Sequence, residues 1–289
     1  LPVSLARGAT SYLQLDETTL RLTPAIFGIA LIAAALLFRR LIGNTGVAVA
    51  ALLTAISPMH VFFSRYYIME LPMVLLLAAF VFFIWKYFSE QKARWMLCAG
   101  TMAAFMHATK ETFVISIMAL VAAASITWLI EEISRRKAAR LEILPLIKHV
   151  TLGVILCAFI SAALYSVFFT NPGAIPQSYL TYLHYLDRAE GSGHEKPFLY
   201  YARLLAWKKM ELYTWSEILI LALGAAGAVA TFIRRDLPEK TQVFLRLLAA
   251  YALFTLLIYS TIAYKTPWSI LAFLHTTILL AGFGFSSLV

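Results

Sequence analysis

Long apolar runs divide this sequence into segments of about twenty residues, separated by polar or charged connections. A helix needs about 20 predominantly apolar residues to cross a bilayer. The pattern therefore predicts an all-α, polytopic bundle of about nine transmembrane helices. The predicted spans are 21–42, 46–68, 71–88, 94–109, 112–132, 148–170, 215–233, 241–264 and 268–288. The connections are short except for 171–214, which is rich in Tyr, Pro and charge and is predicted to be an extracytoplasmic loop.

The composition agrees with this pattern. Of the 289 residues, 61% are apolar and only 13% are charged, whereas a soluble domain has about 25% charged residues. The chain has too few charged residues to form a water-exposed surface over a bundle of this size, so we infer that lipid surrounds most of it. We therefore predict a single integral membrane domain over 1–289. Because the sequence begins with Leu1 rather than Met, we expect it to be a fragment of a longer protein.

Basic residues are distributed unevenly between the two sets of predicted helix ends. One set carries 14 basic and 6 acidic residues, and the other carries 10 basic and 9 acidic residues. Because the positive-inside rule places the more basic ends in the cytoplasm, we predict that the second set faces the extracytoplasmic side of a plasma (inner) membrane. The net charge of +9 is then a topology signal toward anionic lipid, and we predict no nucleic-acid partner.

Ionisable residues near the membrane are costly and by default suggest function. The first such cluster lies at the outer end of the second predicted span, where Ser57, His60 and Ser64 form a polar stripe at helical spacing. Arg65 and Glu70 follow it and mark the outer mouth. The alternative interpretation is an interface anchor, in which Arg65 reaches the head groups and Glu70 caps the next helix.

Three further clusters lie on the same predicted side of the membrane. Lys110 and Glu111 form the turn between two spans, and they are either a local ion pair or a holder for an anionic head group. His194 lies in the long loop, where it is either a metal ligand or simply solvated. Lys265 ends one span just before Trp268 opens the next, which also fits a plain interfacial anchor.

Several short motifs resemble the GT-C superfamily of membrane glycosyltransferases, in particular its protein O-mannosyltransferase-like and aminoarabinose-transferase-like branches. Within these, the sequence looks most like the archaeal and bacterial subfamily described as flippase-activity-associated. The resemblance covers most of the chain from Arg21 onward. It is carried by 21–28, Ser57-Pro58, Ser64-Arg65-Tyr66, Glu70, Lys110-Glu111-Thr112, Phe168-Phe169-Thr170-Asn171, Gly173, Pro197-Phe198, Tyr200-Tyr201 and Lys265-Thr266-Pro267-Trp268.

The resemblance implies transfer of a sugar, with inversion, from a polyprenyl-phosphate-linked donor to an unidentified acceptor at the extracytoplasmic face. It implies that Glu70 is a catalytic-site acid that orients the acceptor or a metal. The resemblance suggests a divalent metal as the one cofactor, with Glu70 and His194 as its candidate ligands. The residues predicted to bind substrate or lipid phosphate are Arg65, Lys110, Glu111, His194 and Lys265.

One departure from the family pattern concerns the catalytic base. The family's first transmembrane helix and the acidic motif that follows it have no counterpart here, and Asp16-Glu17 lies too close to Arg21 to match that motif. We therefore expect the base to lie upstream of Leu1 and this stretch of chain to be inactive alone. Asp16 or Glu17 remains the alternative base.

Two other functions compete with the enzyme. The first is a flippase or transporter of lipid-linked sugars, which usually carries charges near the bilayer midplane on broken helices. In this sequence the charged residues lie at the predicted helix ends instead. The second is a noncatalytic partner that keeps the GT-C fold and holds a polyprenyl phosphate for another enzyme.

Overall fold

The computed structural model describes residues 17–134, 143–189, 193–209, 214–234 and 236–288, without the side chains of 184–189. Nearly all of this part is helical. The helices are α1 Glu17–Ala34, α2 Arg39–Ile56, α3 Pro58–Phe63, α4 Glu70–Glu90, α5 Ala93–Thr109, α6 Phe113–Ile133, α7 Ile143–Tyr165, α8 Ala174–Ala189, α9 Tyr200–Ala206, α10 Ile218–Ile233, α11 Glu239–Thr261 and α12 Leu271–Leu288. Two 3₁₀ turns, Ala35–Phe38 and Pro267–Ile270, precede α2 and α12. The two-residue strands β1 Lys208–Lys209 and β2 Thr214–Trp215 pair antiparallel.

The all-α membrane fold is confirmed, and every predicted span contains helix. In the described chain, six helical segments are long and apolar enough to cross a membrane. One of them, Glu17–Ile56, contains most of the first two predicted spans, and its backbone leaves the helical conformation between them at Gly43, which has a φ of 75° and a ψ of 174°. Two other predicted spans correspond to the shorter helices α5 and α10, of 17 and 16 residues.

The prediction of one continuous span over 46–68 is wrong. Helix α2 ends at Ile56, and Ser57 has a ψ of 120° before the short helix α3 begins at Pro58. A proline disfavours helical geometry in the residue before it, which is why the helix breaks here. The apolar run continues through the break, so hydropathy alone does not reveal it.

The segment 171–214, predicted to be an extracytoplasmic loop, contains α8, α9 and the first strand of the small hairpin. Its position outside the membrane stays a prediction.

Helix α12 forms the centre of the bundle and α7 forms its edge. Most of α12 is buried between α2, α10 and α11, whereas α7 packs against α5 and buries only Gly153 and Ser161, as a lipid-facing helix does. Glycines let the central helices approach closely. A Cβ added at Gly227 of α10 would overlap the carbonyl oxygen of Leu280 in α12. Small residues at such crossings are typical of membrane helices.

A buried ion pair lies at the predicted inner end of the bundle. The Arg246 guanidinium of α11 donates to Oε1 of Glu131 in α6, and the two side chains are 4% and 9% exposed. Arg246 also donates to the carbonyl of Thr231 in α10 at 3.2 Å. Three helices are therefore tied together at this end by one guanidinium group.

Candidate functional site

The structure brings together two of the predicted clusters in one ion pair. Glu70 is the first residue of α4, and Lys110 is the residue that caps the C-terminus of α5. The Lys110 ammonium donates to Oε1 of Glu70, with side-chain exposures of 16% and 8%. Among the described residues Lys110 is thus paired with Glu70, not with the adjacent Glu111. Glu70 lies in the first turn of α4, whereas the N-cap position is occupied by Met69, and the Glu70 carboxylate makes a tertiary contact.

The ammonium group of Lys110 is largely shielded from water. Burial lowers the pKa of Lys110 to about 8, although the neighbouring Glu111 carboxylate acts in the opposite direction. A buried ammonium is stabilised by an anion close to it. Lys110 can therefore pair with Glu70 or with a phosphate oxygen that enters beside it.

A cavity of about 610 Å³ opens near Arg65, a volume in the range of small-molecule binding sites. It lies where α1, the α3 segment and strand β2 meet. The cavity is lined by Arg21, Pro58, Val61, Phe62, Arg65, Tyr66, Thr214 and Trp215. We call it the Arg65 cavity.

The Arg65 cavity combines positive charge with aromatic surface. Arg21 is ion-paired with Glu17 and also donates to the carbonyl of Arg65 at 3.3 Å. Arg65 itself forms no ion pair within the described part of the chain. An anion that enters this cavity therefore meets a guanidinium that is not already neutralised by a carboxylate.

The aromatic wall of the cavity is a continuous set of ring contacts. Phe62 stacks on Tyr66 at a centroid distance of 6.1 Å and meets Trp215 edge-on at 5.7 Å. Tyr66 in turn stacks on Trp268 at 6.5 Å. The Trp268 ring belongs to the segment just after Lys265, so this ring contact connects the cavity wall to the Lys265 cluster.

Lys265 is held by backbone oxygens rather than by a carboxylate. Its ammonium, on a residue that is 3% exposed, donates to the carbonyls of Lys196, at 3.0 Å, and Ile262. Burial lowers the pKa of Lys265. The backbone amide of Lys265 donates to the carbonyl of His194 at 3.1 Å, so the predicted loop residue and the predicted lysine do lie together. The exposed His194 ring meets the Tyr264 ring edge-on at 5.3 Å.

The described residues do not by themselves form a metal centre. No group of three or more His, Cys, Asp or Glu side chains able to hold an ion occurs in the described ranges. Of the predicted ligands, Glu70 is paired with Lys110, and His194 lies beside Tyr264 and Lys265. The metal stays a prediction, and no chemical step below depends on it.

The sequence analysis missed a buried carboxylate, that of Glu217. It receives hydrogen bonds from the Ser57 hydroxyl at 2.9 Å and from the Met59 amide at 2.8 Å. Because the single Ser57 proton goes to Glu217, the Ser57 oxygen accepts from Nδ1 of His60, 3.0 Å away. Glu217 immediately precedes α10, where acids are common, so its position along the chain gave no reason to single it out.

A second missed residue is His107, one turn before Lys110 in α5. The His107 ring is buried among the rings of Tyr165, Tyr179 and Tyr182, at centroid distances of 4.9, 5.6 and 5.9 Å. Two of these tyrosines come from α8. The contacts fix α8 against the turn that carries Lys110 and Glu111.

The helices and this cluster of cations and rings belong to a polytopic helical membrane protein with a polar site at one set of helix ends. The sequence profile of the dolichyl-phosphate-mannose-protein mannosyltransferase family matches residues 5–165, and the chain belongs to that family. This confirms the superfamily resemblance, whereas the flippase-activity-associated subfamily stays a prediction. A search among curated proteins finds none that matches.

Two solved structures of ArnT from Cupriavidus metallidurans share the fold. The apo structure has a TM-score of 0.71 at 13% identity, over 98% of this chain and 48% of ArnT. The structure bound to undecaprenyl phosphate has a TM-score of 0.68 at 14% identity, over 98% of this chain and 49% of ArnT. This chain therefore spans about half the length of these relatives, and the likeness concerns the fold.

Proposed function

We propose that this chain forms part of a glycosyltransferase that takes a sugar from a polyprenyl-phosphate-linked donor. The transfer to the acceptor takes place with inversion at the extracytoplasmic face of the plasma membrane. The observation that carries the proposal is the Arg65 cavity, which offers an unneutralised guanidinium beside aromatic rings. The undecaprenyl phosphate bound to ArnT, a protein of the same fold, supports this class of donor.

The guanidinium of Arg65 suits a phosphate because its fork of donors matches two phosphate oxygens. The rings of Phe62, Tyr66 and Trp215 pack against the apolar faces of the sugar or of the first isoprene unit. In this proposal Lys110 and Lys265 complete the phosphate site, and Glu111 and His194 support them. These groups offset the charge that develops on the phosphate as it leaves.

In the transfer step the acceptor oxygen bonds to the anomeric carbon, and the bond from that carbon to the phosphate oxygen breaks. The polyprenyl phosphate leaves with the electron pair, and the acceptor's hydroxyl proton passes to a carboxylate base. A base placed this way contributes about 10²–10⁴-fold in rate. We assign to Glu70 the orientation of the acceptor. Of the two alternative bases, Glu17 is ion-paired with Arg21, which lines the cavity, and Asp16 lies outside the described residues.

The proposal is tested by Arg65→Ala in the complete protein, assayed for binding of polyprenyl phosphate and for sugar transfer from a polyprenyl-phosphate donor. Loss of a hydrogen bond to a charged group costs about 1.5–3 kcal/mol, so we expect binding to weaken by about ten- to a hundredfold. Arg203→Ala is the matched control, since Arg203 is exposed and does not line the cavity.

Equal binding by Arg65→Ala and the wild-type protein would refute the assignment of this cavity. Wild-type protein that binds the lipid phosphate in an Arg65-dependent way, but transfers no sugar to any acceptor, would favour the noncatalytic binding partner.

A further inference from the structure

Besides Arg21 of α1, the Arg65 cavity is lined by two walls that are far apart in sequence. One wall runs from Pro58 to Tyr66, and the other consists of Thr214 and Trp215. Glu217 lies two residues after Trp215 and is 2% exposed. Its Oε1 accepts hydrogen bonds from the Met59 amide and the Ser57 hydroxyl, at the start of the first wall. One carboxylate oxygen therefore joins the two walls inside the protein.

Backbone hydrogen bonds hold the wall between Met59 and Arg65 together. Within it the amide of Ser64 donates to the carbonyl of His60 at 2.9 Å, and the amide of Arg65 donates to the carbonyl of Phe62 at 3.1 Å. These bonds continue the helical turn that begins beside Glu217. The Met59 amide, which donates to Glu217, and the Arg65 backbone therefore belong to one hydrogen-bonded turn.

The second wall is linked to Glu217 through the chain, two residues away. The amide of Glu217 donates to the carbonyl of Leu205 in α9 at 2.7 Å, and the Trp215 ring packs on Phe62. A buried carboxylate is costly unless its hydrogen bonds compensate for lost hydration. Within the described chain Glu217 forms no ion pair, so these neutral donors are what holds it.

We propose that Glu217 is a positioning residue, which sets the distance between the Arg65 wall and the Trp215 wall. This inference rests on the proposed function, in that the correctly spaced cavity is the one that receives the donor phosphate and sugar. Glu217 acts through Ser57 and Met59 and need not touch the substrate.

The first test measures steady-state kinetics of the complete enzyme with a polyprenyl-phosphate sugar. Glu217→Ala removes the acceptor of two hydrogen bonds, and we expect the donor KM to rise at least about tenfold while kcat stays within about threefold. Glu217→Gln keeps an oxygen for both donors, so its KM should stay within about threefold of the wild type. The other carboxylate oxygen, Oε2, has no partner among the described residues, so an amide nitrogen there breaks no bond of the structure.

The second test does not depend on activity. Spin labels at Val61 and Thr214, one on each wall, report the wall-to-wall distance by pulsed electron paramagnetic resonance, after replacement of Cys98 and Cys157 by Ala. We expect a shifted or broadened distance distribution for Glu217→Ala and an unchanged one for Glu217→Gln. An unchanged distribution in Glu217→Ala overturns the proposal.

The two tests separate this proposal from the proposed function. A changed distance with an unchanged donor KM supports the positioning role and counts against the cavity as the donor site. If Glu217→Ala does not fold, Ser57→Ala takes its place, because it removes one of the two donors to the carboxylate. Ser57→Ala should then change the distance in the same direction, and an unaltered distance in that variant overturns the proposal.

Discussion

Replacing Glu131 by Gln should destabilise the bundle strongly, because it leaves the buried guanidinium of Arg246 without a counter-charge. Both side chains are nearly inaccessible, and the pair sits where α6, α10 and α11 meet. Removing one partner of a buried pair costs about 3–5 kcal/mol. Gln keeps a carbonyl oxygen for the guanidinium, so we expect about 3 kcal/mol for Glu131→Gln and the upper end of the range for Glu131→Leu.

The free energy of unfolding is measured in detergent micelles by steric trapping or by a denaturing-detergent titration. Glu132→Gln is the matched control, since Glu132 is the exposed neighbour, and it should change the free energy of unfolding by less than about 0.5 kcal/mol. The double variant Glu131→Leu with Arg246→Met should recover much of the loss, because a buried pair replaced by apolar groups is often neutral. The reasoning is refuted if Glu131→Gln is as stable as Glu132→Gln.

Two further predictions concern helix packing and pH. Gly227→Ala should lower the free energy of unfolding by about 1–3 kcal/mol, because the added Cβ would overlap the Leu280 carbonyl. The control is Gly173→Ala, which should be neutral because its Cβ would meet only Asn171, at 3.6 Å. Equal losses of stability for both variants in a thermal melt in detergent would contradict this prediction. Binding of polyprenyl phosphate should weaken as the pH rises through about 8, because Lys110 then loses its proton. Because the pKa of Lys110 is lower in the folded state, the unfolded state binds more protons above pH 8, and the contribution of Lys110 to stability rises with pH. Weaker binding of polyprenyl phosphate above pH 8 is therefore not caused by unfolding. Lys110→Arg stays charged and should remove the pH dependence of binding; a titration of Kd that gives the same curve for both proteins refutes the role of Lys110.

Many individual residues of the candidate site could be predicted from the sequence, but the contacts between them could not. The residue types and their places at helix ends singled out Arg65, Glu70, Lys110 and Lys265, since charges near a membrane are conspicuous in an apolar sequence. The pairing of Glu70 with Lys110 across 40 positions was not predictable, because the local neighbour Glu111 offered an equally simple partner. Arg246 was used only as a topology signal, and its burial against Glu131 depends on how three helices meet.

What the sequence by itself determined is the membrane class, the places of the helices and the family resemblance. These follow from local properties, namely apolar length, charge distribution and short motifs, which do not require knowledge of neighbours in space. Only the tertiary structure decided that Ser57 and Met59 meet Glu217, some 160 positions away. The physical reason is that an acid before an apolar helix looks the same in sequence whether it faces water or receives buried hydrogen bonds. Its environment is set by helix packing, and helix packing places Glu217 between the walls of the Arg65 cavity.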